Sequence, residues 1–246
     1  MMETSTRPLL AFDTSTPTAR VALISPAGEC LVLREKTAAR HSANLLALCD
    51  EILRSACVGV RDLCAIACGA GPGSFTGLRV GLAVAKGLAL PVPLPLVLVP
   101  SLDALACDLA QASAESAHLL LPCIDAGKGQ VYARMYHVNG DPVPSAQGDS
   151  DWVLSPDALC HLVGKAVAGG QVRVGGTGVD RYLDVFRTAF GEDSVATALP
   201  GPSAAAIGRL ALARIRRNDY DDIETAVPRY GRPPDITRPK NALLLP

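Results

Sequence analysis

A glycine-rich segment between a predicted strand and a predicted helix is the first place where this sequence could bind a ligand. The segment reads Gly71-Pro72-Gly73-Ser74-Phe75-Thr76-Gly77, and unpaired amides at the start of a helix attract phosphate or carboxylate groups. A P-loop counted from Gly71 would need a lysine at position 77, which is glycine here. The sequence therefore favours a structural role, in which the glycines close a tight turn and let the next helix pack near the sheet. The residues assigned to this structural loop are Gly71, Gly73, Thr76 and Arg79.

The side chains that could act as nucleophiles or metal ligands have no spacing typical of a catalytic site. The eight cysteines form no C-x-x-C pair, so neither a zinc site nor a disulfide framework is predicted. No serine lies in a G-x-S-x-G elbow. A second histidine one turn after His41 would complete a metal-binding pair, but Leu45 stands there. We predict no metal and no catalytic residue.

The predicted elements must form at least one mixed sheet. Three strands, a helix, a strand, a helix and a strand follow one another in the first part of the chain, and this order suits a mixed sheet with helices on its faces. Strand-turn-strand patterns then begin again. We predict an N-terminal lobe of residues 1–100 completed by a helix over 203–217, a smaller lobe of residues 101–200, and an extended tail of residues 228–246.

Two helices of the predicted N-terminal lobe carry apolar faces that could bind another protein. In the second helix, Gly77, Gly81 and Ala85 recur every fourth residue and form a flat groove beside a ridge of valine and leucine. This groove packs either against the chain's own sheet or against a partner. An exposed apolar patch would also pair with a second copy of the chain when no partner is present. The predicted partner interface comprises His41, Leu45, Leu48, Ile52, Gly77, Val80, Gly81, Val84, Ala85 and Leu88.

Three motifs taken together resemble the TsaB family, also called YeaZ. They are Asp13-Thr14-Ser15-Thr16 after a strand, His41-Ser42 before a helix, and the segment from Gly71 to Gly81. The resemblance is specific over residues 9–106 and looser across the second lobe. In the tail, the family's Pro-x-Tyr-Leu-Arg stands here as Pro228-Arg229-Tyr230-Gly231-Arg232. The resemblance implies an α/β, actin-like (ASKHA) two-lobed fold of ribonuclease H-like halves with mixed sheets.

The resemblance also implies a function. It indicates a non-catalytic subunit of the bacterial complex that adds threonylcarbamoyl to N6 of adenosine 37 in tRNA. The implied direct partner is the catalytic subunit TsaD, with TsaE and tRNA contacted through the complex. A homodimer is expected when the chain is alone.

The actin-like resemblance leaves two catalytic alternatives open. An ATP-dependent phosphotransferase would use Asp13 and Asp125, whereas a metallopeptidase, a class to which the family was once assigned, would need a bound metal. The first turn lacks the glycine that lets a backbone approach phosphate, and its hydroxyls could instead satisfy turn hydrogen bonds. We predict no cofactor, apart from weak nucleotide binding at a vestigial site. That site would comprise Asp13, Thr14, Ser15, Asp125 and Gly176.

Composition limits the remaining possibilities. The 246 residues include 49% hydrophobic and 19% charged residues with a net charge of −1, which supports a sizeable core and argues against non-specific nucleic-acid binding by the whole surface. No signal peptide is visible at the polar start of the chain. The most apolar stretch, residues 82–99, contains a lysine and three prolines, so no membrane span is predicted. The expected location is the cytoplasm.

Overall fold

A computed structural model describes residues 6–37, 42–112, 119–139, 143–148, 150–166 and 171–232. These residues form two α/β lobes, each built around its own sheet. This is the predicted two-lobed α/β architecture with mixed sheets.

The first lobe is organised by a five-stranded sheet in the order β3-β2-β1-β4-β5. Its first three strands form an antiparallel meander, and the last two run parallel to β1. Every residue of β1 and β4 is buried, because helices cover both faces of the sheet, as expected for parallel strands. The strands are β1 (Leu9–Asp13), β2 (Thr18–Ile24), β3 (Cys30–Thr37), β4 (Ile66–Gly71) and β5 (Leu96–Pro100).

Two pairs of helices cover this sheet. On one face, α1 (Ser42–Ser55) packs over β2 and β3, and α2 (Phe75–Ala89) packs over β4. On the other face lie α3 (Ser101–Gln111) and, from much later in the chain, α7 (Ala204–Ile215). The small side chains of α7 allow it to contact β1 and β2 directly.

The second lobe has a sheet whose main path is β10-β7-β6-β11-β12. A central hairpin of β6 and β7 is antiparallel, while β11 and β12 run parallel to β6. The strands are β6 (Leu119–Gly127), β7 (Gln130–Ala133), β8 (Tyr136–His137), β9 (Ser145–Ala146), β10 (Trp152–Leu154), β11 (Val172–Gly175) and β12 (Val195–Ala196). The helices are α4 (Pro156–Ala166), α5 (Thr177–Arg181) and α6 (Leu183–Phe190).

The sequence pattern predicts one helix over residues 179–190, and this prediction is wrong. The chain breaks at Tyr182, whose backbone (φ −121°, ψ 39°) leaves the helical region and separates α5 from α6. Apolar residues on both sides of the break share one core with β6 and β11. The apolar spacing therefore continues across the break and does not reveal it.

Polar contacts fix the junction between the lobes. The carboxylate of Asp108 on α3 accepts hydrogen bonds from the backbone N and the Oγ of Ser203, each at 2.7 Å. Ser203 in turn caps α7 by accepting a hydrogen bond from the N–H of Ala206. The fully buried Arg20 of β2 donates to the carbonyl of Pro200 at 2.8 Å and to Glu35 at 3.0 Å. Hydrogen bonds from Arg20 and to Asp108 therefore hold the segment that leads from the second lobe back to the first.

None of the helices within the described ranges is long and apolar enough to cross a membrane.

Candidate functional site

Asp13, the first predicted nucleotide-site residue, ends β1 just before the turn to β2, and its carboxylate is fully buried. One carboxylate oxygen accepts hydrogen bonds from the N–H of Ser15 at 2.8 Å and from its Oγ at 2.6 Å. The other accepts a hydrogen bond from the Oγ of Ser101 at 2.9 Å. Burial raises the pKa of Asp13, and the bonds from Ser15 and Ser101 oppose that shift. Both oxygens are thus engaged inside the protein.

The glycine-rich loop closes directly onto this turn. The N–H of Ser74 donates to the carbonyl of Ser15 at 2.7 Å, and a Cβ added at Gly73 would lie 2.3 Å from the same oxygen. The Oγ of Ser74 accepts a hydrogen bond from the N–H of Gly77 and caps α2. The glycine-rich loop is therefore packed directly against the first turn.

The other residues of the structural loop have separate roles. Gly71 adopts a positive φ of 98° and donates its N–H to the Oγ of Ser101 at 3.1 Å. Thr76 is exposed on α2. Arg79 donates from Nε to the hydroxyl of Tyr230 at 2.9 Å, and its guanidinium lies 3.9 Å from the ring centroid of Phe75. Sequence reasoning named Tyr230 in a tail motif but did not predict its contact with Arg79, because no local pattern reports a contact between residues 151 positions apart.

The second-lobe hairpin holds the other predicted acid, Asp125. One carboxylate oxygen accepts from the N–H of Gly127 at 3.0 Å, and the other pairs with Arg181 at 2.6 Å. Gly176 lies against the neighbouring strand at φ 112°, where a Cβ would stand 2.4 Å from the carbonyl of Cys123. This glycine is required by packing between α5 and β6.

A cleft of 650 Å³ separates the two lobes. Asp125 lines it, but Asp13 does not, since its carboxylate turns away toward α3. The structure therefore does not bring the two predicted acids together around one ligand. Among the described residues, no group of three histidine, cysteine, aspartate or glutamate side chains is arranged to hold a metal ion.

The row of small residues on α2 faces the chain's own sheet, so its prediction as a partner groove is wrong. A Cβ added at Gly77 would lie 2.0 Å from the carbonyl of Thr14, and one at Gly81 would lie 2.5 Å from the Thr14 Oγ. Ala85 is fully buried in the same core. The small residues allow α2 to approach β1 and β4 closely, and the four-residue spacing by itself does not say what packs there.

The leucine and isoleucine face of α1 is likewise part of the core. Leu45 and Ile52 are fully buried and Leu48 is 6% exposed, so their prediction as interface residues is also wrong. Val80, Val84 and Leu88 of α2 are half-buried along the edge of this core. His41 lies outside the described residues.

An apolar surface nevertheless remains on the outer side of these two helices. Ala83 and Gly87 of α2 are exposed, and nothing lies within 4 Å of a Cβ built at Gly87. Leu46 of α1 is 53% exposed. It lies on the side of α1 that turns away from Glu51, whose carboxylate pairs with Arg34 of β3. The surface, named here the α1–α2 face, comprises Leu46, Val80, Ala83, Val84 and Gly87.

Comparisons with known proteins match this chain to proteins of tRNA threonylcarbamoyladenosine biosynthesis. The family model described as "TsaD: tRNA N6-adenosine threonylcarbamoyltransferase" matches residues 32–153. The chain is 40% identical over 126 residues to tRNA threonylcarbamoyladenosine biosynthesis protein TsaB of Haemophilus influenzae, a match that covers 50% of this chain and only 51% of that protein. It is 32% identical over 177 residues to the Escherichia coli protein of the same name, covering 72% of this chain and 74% of the relative.

A solved structure shows the same fold. The structure titled "YeaZ from Pseudomonas aeruginosa" superposes with a TM-score of 0.75 at 28% identity, covering 91% of this chain and 99% of that one.

The raised pKa of Asp13 predicts a specific pH dependence of stability. A carboxyl whose pKa is higher in the folded than in the unfolded state contributes stability that is present at low pH and lost as pH rises through the folded value. The loss of unfolding free energy caused by Asp13→Asn is therefore expected to be larger at pH 4.5 than at pH 7.5. Urea unfolding of both proteins at the two pH values measures it.

Asp219→Asn is a control for which the opposite pH dependence of stability is expected. Its hydrogen bond to Arg214 lowers the pKa of the exposed Asp219, so the stabilising effect of this carboxylate is present at neutral pH and is lost as pH falls. An Asp13→Asn effect that grows with rising pH would contradict the role assigned to the buried carboxyl.

Two glycines of α2 provide a matched test of its packing. Gly81→Ala places a methyl group against the hydroxyl of Thr14, which is held by its hydrogen bond to the carbonyl of Gly77 at 2.8 Å. We expect it to destabilise the protein by about 1–3 kcal/mol. Gly87→Ala enters open space and is expected to stabilise the helix by about 1 kcal/mol. Thermal unfolding of both variants measures the difference, and equal effects would contradict the inward orientation of Gly81.

Proposed function

We propose a function from one premise: the chain belongs to the family of tRNA threonylcarbamoyladenosine biosynthesis protein TsaB. The protein takes part in forming threonylcarbamoyladenosine in tRNA as a non-catalytic subunit in the cytoplasm. It binds the threonylcarbamoyltransferase TsaD directly and meets TsaE and tRNA through that complex.

The engaged carboxylate of Asp13 is the observation that supports a non-catalytic role. A phosphotransferase of actin-like fold needs an accessible acid and open backbone amides at this turn. Here Ser15 and Ser101 donate hydrogen bonds to the two carboxylate oxygens, and the backbone N–H groups of Ser15 and Ser74 are both used in hydrogen bonds within the protein. Asp125 is neutralised by Arg181. The proposed subunit accordingly uses no cofactor, and neither the phosphotransferase nor the metallopeptidase alternative gains support from this geometry.

The α1–α2 face supports the proposed contact with TsaD. Its members are apolar and carry no charge, so covering them removes hydrophobic surface from water without desolvating an ion. The family model for TsaD matches residues 32–153, a range that includes both helices. A partner related in this region can present a similar pair of helices, and two such pairs supply an interface of about 800 Å² per partner. The same face pairs with a second copy when TsaD is absent.

Ala83→Arg tests this docking surface. Ala83 is exposed on α2, so the substitution leaves the fold intact but introduces a charge that must be desolvated on binding. We expect affinity for TsaD, measured by calorimetry, to fall by at least about tenfold, corresponding to about 1.4 kcal/mol. Formation of threonylcarbamoyladenosine in a reconstituted reaction is expected to fall with it.

The control is Ala189→Arg, the same substitution at an exposed alanine of α6 in the second lobe. It is expected to leave both TsaD affinity and tRNA modification unchanged. Wild-type affinity in the Ala83→Arg protein would reject this surface. The proposed role in tRNA modification would be rejected if the wild-type chain bound TsaD tightly but its addition did not change the formation of threonylcarbamoyladenosine.

A further inference from the structure

Five residues near the end of the described chain run across the mouth of the cleft between the lobes. These residues, 228–232, are named here the clasp. On the first lobe, the N–H of Arg229 donates to the carbonyl of Ala70 at 2.8 Å. The Tyr230 hydroxyl accepts a hydrogen bond from Arg79, and its ring centroid lies 4.8 Å from that of Phe75. The clasp is therefore attached to the loop and helix that follow β4.

The next two residues reach the second lobe. Arg232 donates from Nη2 to the carbonyl of Ala126 in the β6–β7 hairpin at 2.9 Å, and its guanidinium lies 5.9 Å from the Tyr132 ring. Between these contacts, Gly231 is packed against both lobes. A Cβ built there would stand 2.4 Å from Cε1 of Tyr132 and 3.2 Å from the Cβ of Pro72. Only a residue without a side chain passes through this gap without displacing a neighbour.

The segment before the clasp is fixed to the first lobe, so the clasp is not a loose end. Asp221 accepts a hydrogen bond from the N–H of Leu98 at 2.7 Å. Lys86 of α2 donates to the carbonyl of Glu224 at 3.2 Å. The chain thus follows α2 from its last turn back to its first before it crosses the cleft. The segment before the clasp is therefore bonded to both α2 and β5.

We infer that the clasp holds the two lobes at a fixed separation and keeps the cleft at one width. Covalent connections between the lobes run through α3 and through the segment before α7, and such connections alone permit a hinge motion. The clasp adds a non-covalent connection at the mouth of the cleft, where Tyr230, Gly231 and Arg232 are lining residues. Tyr230 and Arg232 are positioning residues in this device, acting on the lobes and not on a substrate.

Hydrogen exchange of the full-length protein tests the clasp through two single variants and their combination. Tyr230→Ala removes the side-chain contacts of the clasp with the first lobe, and Arg232→Ala removes its side-chain contacts with the second. The readouts are the amides of the clasp itself and those of the β6–β7 hairpin, residues 126–129. Tyr220→Ala and Arg217→Ala are the matched controls, because both residues are exposed in the same C-terminal region but lie outside the clasp.

Each single variant is expected to speed exchange in both regions by about tenfold, the effect of losing about one net hydrogen bond. The double variant is expected to exchange no faster than the faster single variant, since a connection broken at either end is already open. Tyr230→Phe, which keeps the ring and removes only the hydroxyl, is expected to give a smaller increase. The controls should exchange like the wild type.

Two results would overturn the inference. One is an effect of Tyr230→Ala that is confined to the start of α2 and leaves the β6–β7 hairpin unchanged. The other is a double variant whose increase equals the product of the two single increases, because independent local contacts multiply in this way. The test uses the isolated chain, so its outcome does not depend on the proposed contact with TsaD.

Discussion

The buried carboxylate of Asp13 organises the first lobe and its junction with the second. It accepts hydrogen bonds from Ser15 in the β1–β2 turn and from Ser101 at the start of α3. The Oγ of Ser101 also accepts a hydrogen bond from the N–H of Gly71 in the glycine-rich loop. Taking a carboxylate out of water is unfavourable, and the three hydrogen bonds to its oxygens offset that cost. Gly69 beside it has no room for a side chain, since a Cβ there would lie 1.9 Å from the carboxylate.

The arrangement around Asp13 shows how the protein uses an acid at the end of β1 for its own packing. An acid at the end of β1 serves a nucleotide only when its oxygens and the neighbouring amides face an open cleft. In this protein the two oxygens accept hydrogen bonds from Ser15 and Ser101, although Ser15 and Thr16 of the same turn line the cleft. The cleft that remains is lined by groups such as Asp125 and Thr177, which already bond to one another or to Arg181.

The close packing of α2 on the sheet determines which side of this helix remains exposed. Gly77 and Gly81 bring the helix against Thr14, and the C-terminal segment covers the side that carries Arg79 and Lys86. The α1–α2 face, which includes Ala83, stays exposed. The same helix, α2, carries part of the α1–α2 face and also the Arg79 that contacts the clasp. The position of α2 therefore affects both the proposed interface and the clasp.

Three features of this protein can be recognised from its amino-acid sequence: the mixed α/β class, the order of the first strands and helices, and the family. Apolar periodicity and the motifs around Asp13 and Gly71 are local features, so they can be recognised without a structure. The sequence also indicated that the glycine-rich loop lacks a P-loop lysine. The direction in which each helix faces, by contrast, became known from the three-dimensional packing. Spacing marks the flat side formed by Gly77 and Gly81, but what covers that side depends on Thr14, 63 residues away from Gly77. The contact of Arg79 with Tyr230 was equally out of reach, since no short-range pattern encodes a meeting of distant segments.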